Sequence, residues 1–244
     1  MVKIFVTARI GRKNNSRPFK EFYEEWIETL NKNLLPLLRR SMLVSSANNL
    51  SANLQTIHHH FNSYYQALDH TASHDVAQLL HPNWRNTLEY PFLFLGDFHP
   101  YLFINLLRSF VNNDENHPTK NLMSKIEQIE CGLRLMVPSL VARSRKSQSG
   151  FVDRVAVDWV RCDGRQEVSK NVGEAVMVQM EELIGVFLDA NRLRRSVLAE
   201  IMGATDVYLA ALYLEALSEF YVGFRDAEFL REFEQCKIPL SHDS

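Results

Sequence analysis

Residues 54–68 read Leu-Gln-Thr-Ile-His-His-His-Phe-Asn-Ser-Tyr-Tyr-Gln-Ala-Leu, and within them Leu54, Ile57, Phe61, Tyr64 and Leu68 recur at steps of three, four, three and four. That spacing stacks side chains along one face of a helix. The rhythm continues on both sides. Upstream, Tyr23, Trp26, Leu30, Leu34 and Leu37 predict a first helix from Phe19, kinked or ended late by Pro36. The helix that holds 54–68 is expected to stop near Leu79, because Pro82 disfavours helix in the residue before it, and to pair with the first helix.

Downstream, Trp84 to Leu95 reads as a third, buried helix with Gly96 as its left-handed cap, and Pro100 suits the start of a fourth over Tyr101 to Val111. Asn112 to Pro118 reads as a polar loop. Leu122, Ile126, Ile129, Leu133 and Met136 define a fifth helix, N-capped by Thr119 and bent at Pro138. Beyond Ser147 to Gly150, Phe151 to Val160 fits either a helix face (Val152, Val155, Trp159) or strand-like alternation (Val155, Val157, Trp159), and helix is the favoured reading. Val172 to Met202 forms another, with Gly203 as its stop and Thr205 as the next N-cap. In the last helix, Ala210, Leu214, Leu217, Tyr221 and Phe224 make a heptad-like stripe that Phe229 and Phe233 extend towards Pro239. The expectation is an all-α fold, a single bundle of about seven or eight helices over 19–235, with a basic N-terminal arm over 1–18 and a C-terminal tail over 236–244.

Composition agrees. Hydrophobic residues at 46% and aromatics at 11% of 244 residues place the chain among packed globular proteins. Nine glycines and eight prolines are few for this length and favour long helices. The formal net charge of -2 supplies no global field towards nucleic acid, so any electrostatic partner must meet a local patch. Three widely spaced cysteines, Cys131, Cys162 and Cys236, form neither a disulfide framework nor a metal knuckle and point to a reducing compartment. Apolar runs such as Leu183 to Leu188 fall far short of the ~20 residues of a membrane helix, and no secretory signal is read at the N-terminus. The chain is expected to stay inside the cell.

The strongest charge asymmetry is the arm. Lys3, Arg9, Arg12, Lys13, Arg17 and Lys20 fall between Met1 and Lys20 with no acidic residue among them. Near anionic lipid such cations contribute up to ~1 kcal/mol each, enough for reversible attachment. The arm lacks the interleaved aromatics and the recognition helix of a nucleic-acid binder, so no direct contact with nucleic acid is expected; the remaining reading is a solvated tail.

The densest run of unusual residues lies between Trp84 and Pro100. If Phe92 to Leu95 is buried, Glu89, Asp97 and His99 approach a low-dielectric core and need partners among themselves, Arg85, Arg108 or helix ends. Trp26, Trp84, Arg85, Glu89, Asp97, His99 and Arg108 are therefore the candidates for either a structural polar network or a partner groove. His70 and His74, four apart on a helix with Asp69 and Asp75 beside them, are the weak candidates for a metal site, since no third ligand appears at a recognised spacing. There is no GxSxG elbow, glycine-rich phosphate loop or HExxH motif. Neither an enzyme nor a cofactor is expected. A His/Asp metal-dependent hydrolase built on His70, His74 and Asp75 is the rival from another class.

The chain resembles the plant DOG (delay-of-germination) domain family at Trp84, Glu89, Leu95, Gly96 and Pro100, at Phe22-Tyr23-Glu24-Glu25-Trp26, at Tyr64-Tyr65 followed by Asp75-Val76, and at Leu193 to Met202. It departs from the common pattern at Phe94, Asp97, His99 and Tyr101. There, and at Leu34 to Arg40 and His58-His59-His60-Phe61, it is similar to the inaperturate-pollen branch. The resemblance implies a non-enzymatic scaffold in developing microspores, in the cytoplasm and held peripherally at plasma-membrane patches, that dictates where pollen apertures form. It implies protein partners at those patches and allows a homodimer. It carries over no catalytic residue, no leucine zipper, and no haem, since His242 lacks a paired histidine. A regulatory module bound to a transcription factor in the nucleus is the alternative.

Overall fold

The computed structural model describes residues 18–44, 47–113, 119–161 and 165–235. The arm residues Lys3, Arg9, Arg12, Lys13 and Arg17, and the tail at 236–244, lie outside them. Helix α1 (Phe19–Thr29) passes through a π-turn at Leu30–Leu34 into α2 (Leu35–Val44). The Leu35 N–H donates to the Leu30 carbonyl five residues back, and the wider turn makes room for the ring of Pro36 at the carbonyl of Lys32. Pro36 therefore does not end the helix.

Helix α3 (Ala47–Leu80) carries the 54–68 stripe inward: Leu54, Ile57, Phe61, Tyr64, Tyr65 and Leu68 are all buried. It is interrupted at Asp75 (φ -156°, ψ 83°), whose carboxylate accepts from the Gln78 N–H at 3.3 Å and so recaps the last turns.

The third helix expected over Trp84 to Leu95 does not form. Turns lead into a short 3₁₀ segment at Tyr90–Phe92, then strands β1 (Leu93–Phe94) and β2 (Asp97–Phe98) pair antiparallel, with Leu93 opposite Phe98 and Phe94 opposite Asp97. Two features oppose helix. The Asn86 side-chain oxygen accepts from the N–H groups of Leu88 and Glu89, as an N-cap does, so these donors do not reach back to Trp84 and Arg85, and Pro91 has no N–H with which to continue a helix from there. Gly96 does adopt a left-handed conformation (φ 86°), but as the second residue of a tight hairpin whose first, Leu95, is also left-handed (φ 48°).

Helix α4 (Pro100–Asn113) starts at the expected proline. Helix α5 (Lys120–Arg161) begins with Thr119 Oγ1 accepting from the Leu122 N–H, and it is one helix through both Pro138 and Ser147 to Gly150, so that Phe151 to Val160 is helical rather than extended. Pro138 is exposed, so the Arg134 carbonyl it leaves unpaired faces water. Helix α6 (Arg165–Ala204) runs back antiparallel along α5, and each is about 60 Å long. Helix α7 (Val207–Gly223) is capped by Asp206, which accepts from the N–H groups of Tyr208 and Leu209 at 2.9 Å; Thr205 instead donates to the Ile201 carbonyl. The chain turns after Gly223 into a separate α8 (Ala227–Gln235), where Phe229 is half exposed, so the last helix does not run on as one.

Among the described residues the result is an all-α bundle with one two-strand hairpin at its centre. Buried Ala210, Ala211, Tyr213, Leu214, Leu217 and Tyr221 make α7 the axis on which α2, α3 and α4 close, and α6 covers α3. Along the α5–α6 pair the continuous core ends near Leu140, Val186 and Ala190; beyond it Ser147 and Ala175 are the buried side chains among the described residues. The outer part of the pair is thus a two-helix projection. Among the described residues no single helix is long and apolar enough to cross a membrane.

A methyl group on Gly96 would meet the Leu79 carbonyl oxygen at 2.6 Å and the Phe187 ring at 2.7 Å, on top of the left-handed backbone. Gly96→Ala should therefore cost about 2–5 kcal/mol in urea denaturation. Gly132→Ala, in open space within α5, should be neutral or stabilising by about 0.5–1 kcal/mol in the same assay.

Candidate functional site

The hairpin brings polar side chains into the middle of the bundle. Arg85, Glu89 and Asp97 are sealed from solvent. Arg85 donates to Glu89 Oε1 at 2.8 Å and to Asp97 Oδ1 at 2.6 Å, and also to the hydroxyls of Tyr23 at 2.9 Å and Tyr64 at 2.8 Å. Tyr64 in turn donates to Asp97 at 3.0 Å, and Glu89 Oε2 accepts from the Asn86 N–H at 2.8 Å. The guanidinium lies 4.7 Å from the Tyr23 ring centroid and 4.6 Å from that of Phe98. Burial alone would lower the pKa of Arg85, but the two tyrosines and two carboxylates outweigh it, and the group stays charged well above its ordinary value.

A second buried guanidinium holds the hairpin backbone. Arg194 of α6 donates to the carbonyls of Phe98 (2.8 Å), Phe94 and Asp97 and to the Asn191 side chain (2.8 Å). Asn191 donates onward to Asp69 of α3 at 3.0 Å, and Arg195 reaches the other oxygen of that carboxylate. Two arginines and two carboxylates are therefore enclosed together, with charge balanced. Sequence reasoning missed Arg194, Tyr23 and Tyr64 as members; the tyrosines carry the signal of helix-face core residues, and Arg194 carries no signal of its own.

The other candidates divide. His99 is half-buried, stacks on Tyr101, lies beside the Phe94 ring, and accepts from the Tyr101 N–H through Nδ1. Burial and then the nearby Arg194 hold its pKa below the ordinary imidazole value. Trp84 packs on Phe19 and its carbonyl accepts from Arg225. Trp26 stacks on His60 at 4.9 Å, its Nε1 donating to the His60 carbonyl, in a cluster with Phe61, Tyr64 and Tyr221. Arg108 does not join the network: it pairs with Glu130 and ties α4 to α5, because its helix position turns it outward.

His70 and His74 do approach, with ring centroids 4.8 Å apart, but the His74 ring is occupied with the His70 carbonyl and Ser73. Asp69 faces α6, and Asp75 caps α3. Among the described residues no three His, Cys, Asp or Glu side chains converge as a metal site.

What the junction can do follows from its closure. Arg85 pairs with Glu89 and Asp97 inside the bundle, with Arg85 Nε and Asp97 Oδ2 left without a hydrogen-bond partner, and the pairing fixes the approach of α1, α3 and the hairpin while Arg194 ties the hairpin to α6.

Residues 32–109 match the family described as seed dormancy control. The chain is 44% identical, over 94% of its length and 97% of the relative, to Protein INAPERTURATE POLLEN1 of Arabidopsis thaliana. It is 38% identical, over 93% of each chain, to Protein INAPERTURATE POLLEN 1 homolog of Oryza sativa subsp. japonica.

Arg85→Met strands two enclosed carboxylates and should lower unfolding free energy by about 3–5 kcal/mol, whereas Lys32→Met on the surface should stay within about 0.5 kcal/mol, both read by chemical denaturation. Alkali gives an independent check. Burial pushes Tyr23 up to about 12 against the opposing pull of Arg85, and raises Tyr64, Tyr65, Tyr213 and Tyr221 as well. A raised folded pKa contributes stability that is complete below the unfolded value near 10 and is lost as pH climbs through the folded one. Phenolate absorbance from these five should therefore rise together with loss of helical circular dichroism between about pH 10 and 12; absorbance rising while helicity holds would contradict their burial.

Proposed function

The chain belongs to the inaperturate pollen family, and from that membership we propose that it acts in pollen aperture formation, as a non-enzymatic scaffold marking the plasma-membrane domains of developing microspores where apertures form. The observation that carries this is the breadth of the match: 44% identity extends over 94% of the chain, well beyond the seed dormancy control segment at 32–109. The buried, paired central charges support a scaffold over a catalyst, because they hold helices together and are not presented to a substrate.

On this reading the outer helical surfaces meet protein partners at the membrane domain. Lys3, Arg9, Arg12, Lys13 and Arg17 add a reversible attraction to anionic lipid, a role resting on their uniform sign in the sequence.

Expression of the tagged chain in Arabidopsis plants lacking INAPERTURATE POLLEN1 tests the proposal. Restored apertures, with the tag gathered at plasma-membrane patches in microspore tetrads, are expected. Wild-type protein levels with smooth, aperture-free pollen would overturn the aperture role, and a tag confined to nuclei would favour a regulatory module on a transcription factor.

A further inference from the structure

The outer part of the α5–α6 pair holds a cleft of about 500 Å³, lined by Arg143, Lys146, Ser147, Ser149, Gly150, Asp153, Arg154, Glu182 and Val186. Its size lies within the range of small-molecule sites, and Val186 supplies its one apolar side chain. Three cations from α5 line it. Arg143 donates to Asp189 at 2.6 Å, but Arg192 shares that carboxylate at 2.8 Å, so one acid serves two guanidiniums. Among the described residues, Lys146 and Arg154 form no ion pair.

Two further features lie at the cleft. Ser147 is 3% exposed, yet its hydroxyl has no hydrogen-bond partner. A helical serine ordinarily bonds the carbonyl one turn back, so this hydroxyl, with donor and acceptor both unspent, is a polar group at the cleft wall open to a hydroxyl or phosphate oxygen. Beside it, glycines stand within two long helices, where each costs about 0.5–1 kcal/mol relative to alanine. A methyl group on Gly150 would have the Arg154 guanidinium as its nearest neighbour at 3.9 Å, and one on Gly185 the Arg143 guanidinium at 3.7 Å. Neither glycine has a positive φ, so neither is demanded by the backbone; what they leave is space at the two guanidiniums.

The carboxylates narrow the chemistry. Asp153 and Glu182 share the lining, so a bare anion gains from three cations and loses to two acids. A hydroxylated ring bearing phosphates uses both signs: its phosphates accept from Arg143, Lys146 and Arg154, and its hydroxyls donate to Asp153 and Glu182 and exchange with Ser147. We propose that this cleft binds a phosphorylated polyol, the chemistry shared by soluble inositol phosphates and the headgroups of phosphoinositides. The site stands whether or not the chain works at a membrane.

Calorimetric titration of the full chain with inositol trisphosphate at about 0.15 M salt tests it. Binding is expected, with affinity falling about tenfold or more in the Lys146→Gln/Arg154→Gln double variant and in Gly150→Leu, which fills the cleft; circular dichroism and melting confirm that both variants are folded. The control Lys32→Gln/Arg40→Gln, which removes two exposed cations elsewhere, should bind as the wild type does. No heat with the trisphosphate, equal loss in the control, or equally tight binding of inorganic phosphate would each overturn the proposal. Vesicles containing phosphatidylinositol bisphosphate distinguish the sources: capture that soluble trisphosphate competes away assigns a lipid headgroup, and binding of trisphosphate without vesicle capture assigns the free compound.

Discussion

An arginine enclosed with two carboxylates constrains this bundle more than any apolar contact does. Arg85 cannot be moved out of reach of Glu89 and Asp97 without leaving uncompensated charge in a medium that cannot solvate it. Hydrophobic burial would tolerate many small rearrangements of α1 against α3, but hydrogen bonds at 2.6–2.9 Å tolerate few. The hydroxyls of Tyr23 and Tyr64 close the ring from two different helices, so one guanidinium fixes the register of both.

The hairpin exists because it delivers Asp97 to that ring. Two residues in left-handed conformations reverse the chain within a space too tight for a side chain at Gly96, and Arg194 then occupies the carbonyls that a two-strand sheet leaves unpaired. The constraint reaches α3 through Asn191 and Asp69. A helix at 84–95 would have satisfied its own backbone and left Arg194 with nothing to hold.

Outside the junction the balance reverses. Along the distal α5–α6 pair few side chains are buried, while Trp159 is 68% and Val160 86% exposed. The closed centre sets architecture, and the surfaces free to meet another molecule, the cationic cleft among them, lie where the core has run out. That division suits a protein acting through its outer contours.

The helices at 54–68, 122–136 and 210–221 were legible because their apolar spacing is a local property that any core-facing helix must obey. The segment 84–96 was not, since a short apolar run such as Phe92 to Leu95 has the same appearance in a helix and in a hairpin, and Pro91 and Asn86 decide between them only by what their neighbours bond. Glu89 and Asp97 announced a need for partners, and Arg85 was among the candidates, but Arg108 looked equally suitable and points elsewhere. Thr205 was the expected cap, and the neighbouring Asp206 carboxylate holds the position instead. The sequence alone determined which faces turn inward, because spacing along a chain is translated directly into direction around a helix. Only the tertiary structure decided which charges meet, since Arg194 reaches carbonyls about a hundred positions away and no periodicity records a contact made across the core.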